Sequence, residues 1–326
     1  MIIKMKIFLK NMMMVALTII ISSTVAKAQL EMQGSQFILD KTFINPAFMG
    51  TESQAMGNAQ YQAVSGAQGS GAKAYTLSVG GNVNLPKVKS SIGFNAVKNT
   101  FGNDSYTVGY GNYVYHLPVS ENMVLSSSIG IGVQQFDINL SDLVTVKDGD
   151  PLARRNIYSS KFDARFGIAG RINNKYYFGL SFDNILSLYT NKDSYSNQVP
   201  ATFRKINLYA IMGANLPIQG NLMLTPTFLF IKNMGGITSI DVNAQILMNR
   251  SLAFGIGFRQ RIEEVSTITE DNGRSLTQSI IRPMLSYQLN NAKNSIKIGY
   301  LYNFNASSSV GLNVGTHDIS LAFIIP

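Results

Sequence analysis

From about residue 50 onward, apolar and polar side chains alternate with a period of two. In 251–259, Leu252, Phe254, Ile256 and Phe258 fall on one face; Ala253, Gly255, Gly257 and Arg259 fall on the other. In 158–170, Phe162, Ala164, Phe166 and Ile168 alternate with Lys161, Asp163, Arg165, Gly167 and Ala169. In 239–248, Ile240, Val242, Ala244, Ile246 and Met248 alternate with Ser239, Asp241, Asn243 and Gln245, and Leu247 is the exception. A helix would scatter these residues around its circumference, whereas a strand sorts them onto two faces. The pattern predicts about fourteen strands, near 53–64, 71–82, 88–99, 104–117, 122–136, 158–171, 174–185, 202–216, 220–233, 236–248, 250–264, 275–290, 293–305 and 310–325.

The apolar faces are rich in aromatics, many segments are longer than ordinary soluble strands, and the opposite faces are small and polar. No helical pattern is available to cover a sheet. Together these predict an all-β fold: a single transmembrane, antiparallel, up-and-down β-barrel with a polar interior. Short connections (84–87, 173–174, 218–220, 248–250 and 290–293) alternate with a set that contains the three longest, 137–157, 186–201 and 265–274. Short periplasmic turns and long outer loops follow that rule, which puts both chain ends in the periplasm. An unpaired strand edge in hydrocarbon costs several kcal/mol per group, so the first and last strands must pair. Trp is absent, leaving Tyr113, Tyr115, Tyr176, Tyr177, Tyr287, Tyr300 and Tyr302 as candidates for the interfacial aromatic girdles.

Composition sharpens this. Only 14% of residues are charged and 45% are hydrophobic, where soluble domains carry about 25% charge. There is no cysteine, so disulfides, thiolate metal sites and Cys-linked lipid anchors are excluded. At the N-terminus a basic stretch (Lys4, Lys6, Lys10) precedes a short apolar run, and Ala26-Lys27-Ala28 follows. This is the three-part pattern of a cleaved signal peptide over 1–28. The expected organisation is therefore a signal peptide (1–28), a periplasmic lead-in (29–52) and an outer-membrane barrel (53–326). The net charge is +9; the leader's four lysines account for four of these. No basic run accompanies the rest, so nucleic-acid binding is not expected.

Two end motifs narrow the reading. Asn45-Pro46-Ala47-Phe48-Met49-Gly50 lies near the start and Gly315-Thr316-His317-Asp318-Ile319-Ser320-Leu321 near the end. With Gly179-Leu180-Ser181, Asn184-Ile185-Leu186 and 224–229 between them, the chain resembles the PorP/SprF family of Bacteroidetes outer-membrane proteins. The departures are Asp318 where that family usually has Glu, a first strand without the expected Arg and Trp, and a C-terminus without a terminal aromatic. The resemblance implies a type IX secretion component or accessory, connected with gliding motility. It would aid export or surface attachment of cargo by binding the cargo's C-terminal domain, with periplasmic components of that system as further partners. A channel or small-molecule transporter is the alternative.

Pro46 fixes its own φ and pushes Asn45 to extended geometry, and Gly50 is free to take positive φ. The stretch 45–50 therefore reads as a rigid turn that plugs the periplasmic mouth, docks a partner, or only leads into the first strand. His317 and Asp318 lie on the last strand beyond a candidate bulge at Gly315, and read as a structural pair at the barrel seam. Lys161, Asp163, Arg165, Asp183, Asp241, Arg259 and Arg282 are assigned inward, as a salt-bridge ladder or a substrate path, because an Arg or Lys facing lipid at mid-depth costs about 2–4 kcal/mol. Asp142, Asp148, Asp150, Arg154 and Arg155 are the candidate partner-binding residues of the loop 137–157. With two histidines, no cysteine, no phosphate-binding glycine loop and no partnered nucleophile, neither enzyme activity nor a cofactor or metal is expected.

Overall fold

The computed structural model describes residues 36–64, 74–139, 156–187, 205–234, 236–264, 275–306 and 315–326. The signal-peptide expectation, and the loop residues Asp142, Asp148, Asp150, Arg154 and Arg155, lie outside them.

Fourteen antiparallel strands run in sequence order: β1 Ala55–Val64, β2 Ala74–Leu85, β3 Ser90–Phe101, β4 Asp104–Ser120, β5 Met123–Ile138, β6 Ile157–Ile172, β7 Tyr176–Asp183, β8 Asn207–Ala214 (resuming at Leu216–Pro217), β9 Leu222–Asn233, β10 Ile237–Met248, β11 Leu252–Glu264, β12 Ser275–Asn290, β13 Ser295–Asn305 and β14 Thr316–Ile325. Each pairs with its sequence neighbours, and β1 pairs with β14 from Ala55↔Ile325 to Val64↔Thr316. The sheet is thus a closed barrel, which leaves no edge in hydrocarbon. That register is unbroken through Thr316, so no bulge forms at Gly315, which precedes the strand.

Alternation places the oily face outside. Phe162 is 73% exposed, and Ile131, Ile168, Val242, Phe254, Ile256 and Leu321 are exposed with it. Ser78, Ser128, Asp163, Ser181, Asp241 and Arg282, on the reverse face, are buried. Connections on the rim carrying the chain ends are short. Asn173–Asn174 and Asn249–Arg250 all take φ between 52° and 56°, the left-handed pair that a two-residue hairpin turn requires. The β2–β3 turn begins two residues later than the sequence pattern implies: β2 runs through Leu85, and Lys89 (φ 52°) closes the turn.

Pro226 and Pro283 sit mid-strand, each where a ladder is interrupted. Pro226 pairs with Ala244 on one side, while on the other the pairing with β8 lapses between Thr227↔Gly213 and Leu224↔Leu216. The β12–β13 register passes from Ile281↔Phe304 to Met284↔Leu301, skipping Pro283. A residue without an N–H is tolerated in a sheet at such positions.

Tyr113, Tyr115, Tyr176, Tyr287 and Tyr300 are exposed, as girdle residues are. Tyr177, a girdle candidate by sequence, is instead buried inside. Adjacent strand residues point to opposite faces, so Tyr176 and Tyr177 cannot both face lipid.

Candidate functional site: a plugged bore

Residues 36–52, expected as a lead-in, fold back into the barrel and occupy its inner mouth. A single helical turn, Gln36–Leu39, is followed by two 3-10 turns, Lys41–Phe43 and Pro46–Phe48. Asp40 caps the first 3-10 turn, accepting from the Thr42 N–H at 2.8 Å and from its hydroxyl at 2.8 Å. Asn45 caps the second, accepting from the Ala47 N–H at 3.0 Å. Pro46 occupies the first position of that turn, where a missing N–H costs nothing. Gly50, at φ 70°, turns the chain towards β1.

Asn45 also locks the plug to the wall. Its Nδ2 donates to the Ile168 carbonyl of β6 at 2.9 Å and the Leu180 carbonyl of β7 at 3.4 Å. Ser or Asp would cap the turn equally well, but neither offers that amide donor to two carbonyls. Space for Asn45 comes from glycine. A Cβ on Gly179 would lie 2.6 Å from Asn45 Nδ2 and 3.0 Å from the Phe48 ring, and one on Gly167 would collide with Asn45 Oδ1.

Polar anchors surround the segment. Ser181 Oγ donates to the Ile44 carbonyl at 2.6 Å, the Arg165 guanidinium to the Phe43 carbonyl at 3.5 Å, Asn95 Nδ2 to Thr42 Oγ1 at 3.4 Å, and the Gly50 N–H to Asn82 Oδ1 at 3.0 Å. Asn58 donates to Asp40, and Arg171 to the Thr51 carbonyl. The apolar side of the plug (Phe37, Ile44, Ala47, Phe48) packs on Ala169, Tyr177, Ile211, Leu229 and Ile231 of β6–β9. Phe48 meets Tyr177 edge-on at 6.0 Å. Lys41 pairs with Glu52 at 2.8 Å and lies 4.6 Å from the Tyr177 ring centre. The Lys41 ammonium opposite Glu52 holds that carboxyl below its ordinary range. Burial pushes Asp40 up, against the hydrogen bonds from Thr42.

The sequence-assigned lumen charges do face inward, in two clusters. In the first, Arg165 donates to Asn112 Oδ1 at 2.7 Å and to Asn95, and stacks on the Tyr110 ring at 4.7 Å. Asp163 accepts from the Tyr110 hydroxyl, from Gln134 and from the Leu186 N–H. Lys161 is half-buried at the outer end of the same strand. In the second, Asp241 pairs with Arg259 at 2.6 Å and Arg282 at 3.1 Å, and Arg282 also donates to Asn303 Oδ1 at 2.6 Å. The ladder expectation thus fits the second cluster; in the first, Arg165 reaches neutral acceptors and the plug.

His317 and Asp318 do not act together. Asp318 points inward, buried, and accepts from Asn303 Nδ2 at 3.4 Å. His317 points outward near the outer end of β14, shares a 2.8 Å hydrogen bond with the Tyr300 hydroxyl and lies 4.7 Å from the Tyr302 ring. Its ring contacts β13, and across the β14–β1 seam it meets Ala63 through the backbone pairing; strand parity separates the two side chains. Among the described residues no group of three or more His, Asp or Glu side chains is placed to hold a metal.

Three features of the plug's seat do not follow from the strand pattern: the glycine notch, the set of asparagines gathered round the plug, and the apolar patch on β8 and β9. The patch did leave a signal. Phe228-Leu229-Phe230-Ile231 is apolar on both faces, which a water-lined bore does not need and an internal contact does.

A family model described as "Type IX secretion system membrane protein PorP/SprF" matches residues 26–323. Nothing among curated proteins matches the chain. Among solved structures it is similar to a Pseudomonas aeruginosa FadL homologue (TM-score 0.50, 10% identity, 87% of this chain and 93% of that one). It is also similar to the Acinetobacter baumannii outer membrane protein Omp33 (TM-score 0.45, 8% identity, 85% of this chain and 100% of that one). Family and barrel together place the chain in the outer membrane.

Proposed function

This chain belongs to the PorP/SprF family of type IX secretion system membrane proteins, and from that premise we propose that it is an accessory that brings particular cargo to the cell surface, for export or attachment, by binding the cargo's C-terminal domain. The observation that carries this reading over a channel is the plug. A fourteen-strand barrel is wide enough for a lumen, yet residues 36–52 cross the inner mouth, capped, hydrogen-bonded and packed at each step. A bore closed in this way suits a fixed docking body better than a conduit. Cargo meets the outer loops, including the acidic and basic residues of 137–157, and periplasmic components of the system meet the inner rim. A role in gliding motility follows if the cargo is an adhesin.

Deleting the gene is expected to remove one or a few large proteins from the cell surface while other outer-membrane proteins stay at normal levels. Purified barrel in a planar bilayer is expected to conduct poorly. An unchanged surface proteome together with a steady, large conductance would instead establish the channel.

A further inference from the structure

Beside the plug, on the periplasmic side, lies a cavity of about 250 Å³ between residues of 48–51, the inner ends of β2, β4, β5 and β6, and the β2–β3 and β6–β7 turns. Its chemistry is one-sided. Lys89, His116 and Arg171 line it, and no carboxylate does. Of the acids outside the cavity, Glu52 in the plug is paired with Lys41 and also feels the charge of Arg171, and Glu121 stands on the exposed β4–β5 turn of the same rim. His116 is held with both ring nitrogens engaged, by Ser91 Oγ at 2.7 Å and Ser126 Oγ at 2.8 Å. Arg171 spends one donor on the Thr51 carbonyl; a guanidinium has five. The Lys89 ammonium stands on an exposed turn residue whose backbone is fixed from both sides, its N–H on the Pro86 carbonyl and its carbonyl under the His116 N–H. Besides the cations Lys89 and Arg171, the wall carries apolar side chains: Phe48, Pro86, Pro118 and Val124.

We propose that this cavity binds the C-terminal residue of a peptide chain from the periplasm: its free carboxylate meets Lys89 and Arg171, and its apolar side chain lies against Phe48 and Val124. Small-molecule pockets hold roughly 300–1,000 Å³, so this volume suits one residue and not a whole lipid. The cavity lies within the bore, cut off from the acyl chains by the barrel wall. Two cations line the one cavity; cations give a carboxylate charge-assisted hydrogen bonds, and capture of a C-terminal carboxylate is a recurring mode of peptide recognition. The site is independent of whether the outer loops bind cargo.

The test uses the full-length barrel in detergent and a fluorescent hexapeptide, Gly-Ser-Gly-Ser-Ala-Leu with a free C-terminus, followed by anisotropy. Saturable binding is expected, weaker by about tenfold or more for the C-terminal amide and for the variant Lys89→Glu; tenfold is the scale of one lost charge-assisted contact. Glu at 89 meets the same left-handed backbone as Lys, so folding is comparable, and heat-modifiable migration on gels checks it. Val124→Trp, which fills the apolar side, is expected to weaken the free acid in the same way. Equal binding of acid and amide, tight binding by Lys89→Glu, displacement by inorganic phosphate at the peptide's own concentration, or no binding up to about 1 mM would each overturn the assignment.

Discussion

Arg165 and Arg282 are both almost wholly buried in the bore, at 2% and 1% exposure, yet they are matched to different things. Arg282 meets a carboxylate: Asp241, which also holds Arg259, so one carboxylate ties β10, β11 and β12 together. Arg165 hydrogen-bonds only to neutral oxygens, those of Asn95, Asn112 and the Phe43 carbonyl, and stacks on Tyr110, while the carboxylates Asp183 and Asp40 act on it through charge. One cluster staples neighbouring strands. The other is a socket whose acceptors come from wall and plug alike, over sequence separations of 53 to 122 residues. The difference separates barrel integrity from plug docking, and substitutions can pull the two apart.

The largest effect is expected from Asp241→Ala. It leaves two buried guanidiniums without their counter-charge, a loss of about 3–5 kcal/mol. Thermal unfolding in detergent should report it as a lowered midpoint, with the plug still protected from protease while the barrel is folded. Arg165→Met should do the reverse: a smaller loss, about 1–3 kcal/mol for unmade hydrogen bonds, felt first as protease cleavage within 36–52 and raised conductance. If both variants melt alike and neither frees the plug, the two clusters do the same job.

Gly179→Ala sharpens the socket side. Its Cβ collides with Asn45 and Phe48, and overpacking of this kind costs about 1–3 kcal/mol, so the plug should loosen while the β6–β7 hairpin persists. At Asn45, Ser and Asp both keep the cap. Ser loses one wall donor, while Asp turns a carboxylate towards two carbonyls, so Asn45→Asp should expose the plug more than Asn45→Ser, by about 1 kcal/mol or more. Equal protease rates would remove the Nδ2 contacts from the account.

The smallest effect concerns Glu52. Its carboxyl is held below the ordinary range by Lys41, so the pair's contribution is complete above the unfolded value of about 4.3 and is lost as pH falls through the lowered folded value. Plug protection should therefore be flat through neutral pH and decline only in acid, and Glu52→Gln should remove that acid step.

The alternation of oily and polar residues determined the strand number, which face of each strand meets lipid, and the inward placement of Asp163, Arg165, Asp241, Arg259 and Arg282, because side-chain direction in a strand follows parity alone. Parity read strictly also places Tyr177 inside and splits His317 from Asp318; adjacent residues cannot share a face, whatever their chemical kinship. The Asn45–Gly50 motif announced a rigid turn. Only the closed barrel decided where that turn goes. The seat is assembled from Gly167, Gly179, Ser181, Asn95, Leu229 and Ile231, scattered over seven strands' length of chain, and no local rule links them. A plug is held by complementarity between distant surfaces, and that complementarity exists only after the sheet has curled round to bring them face to face.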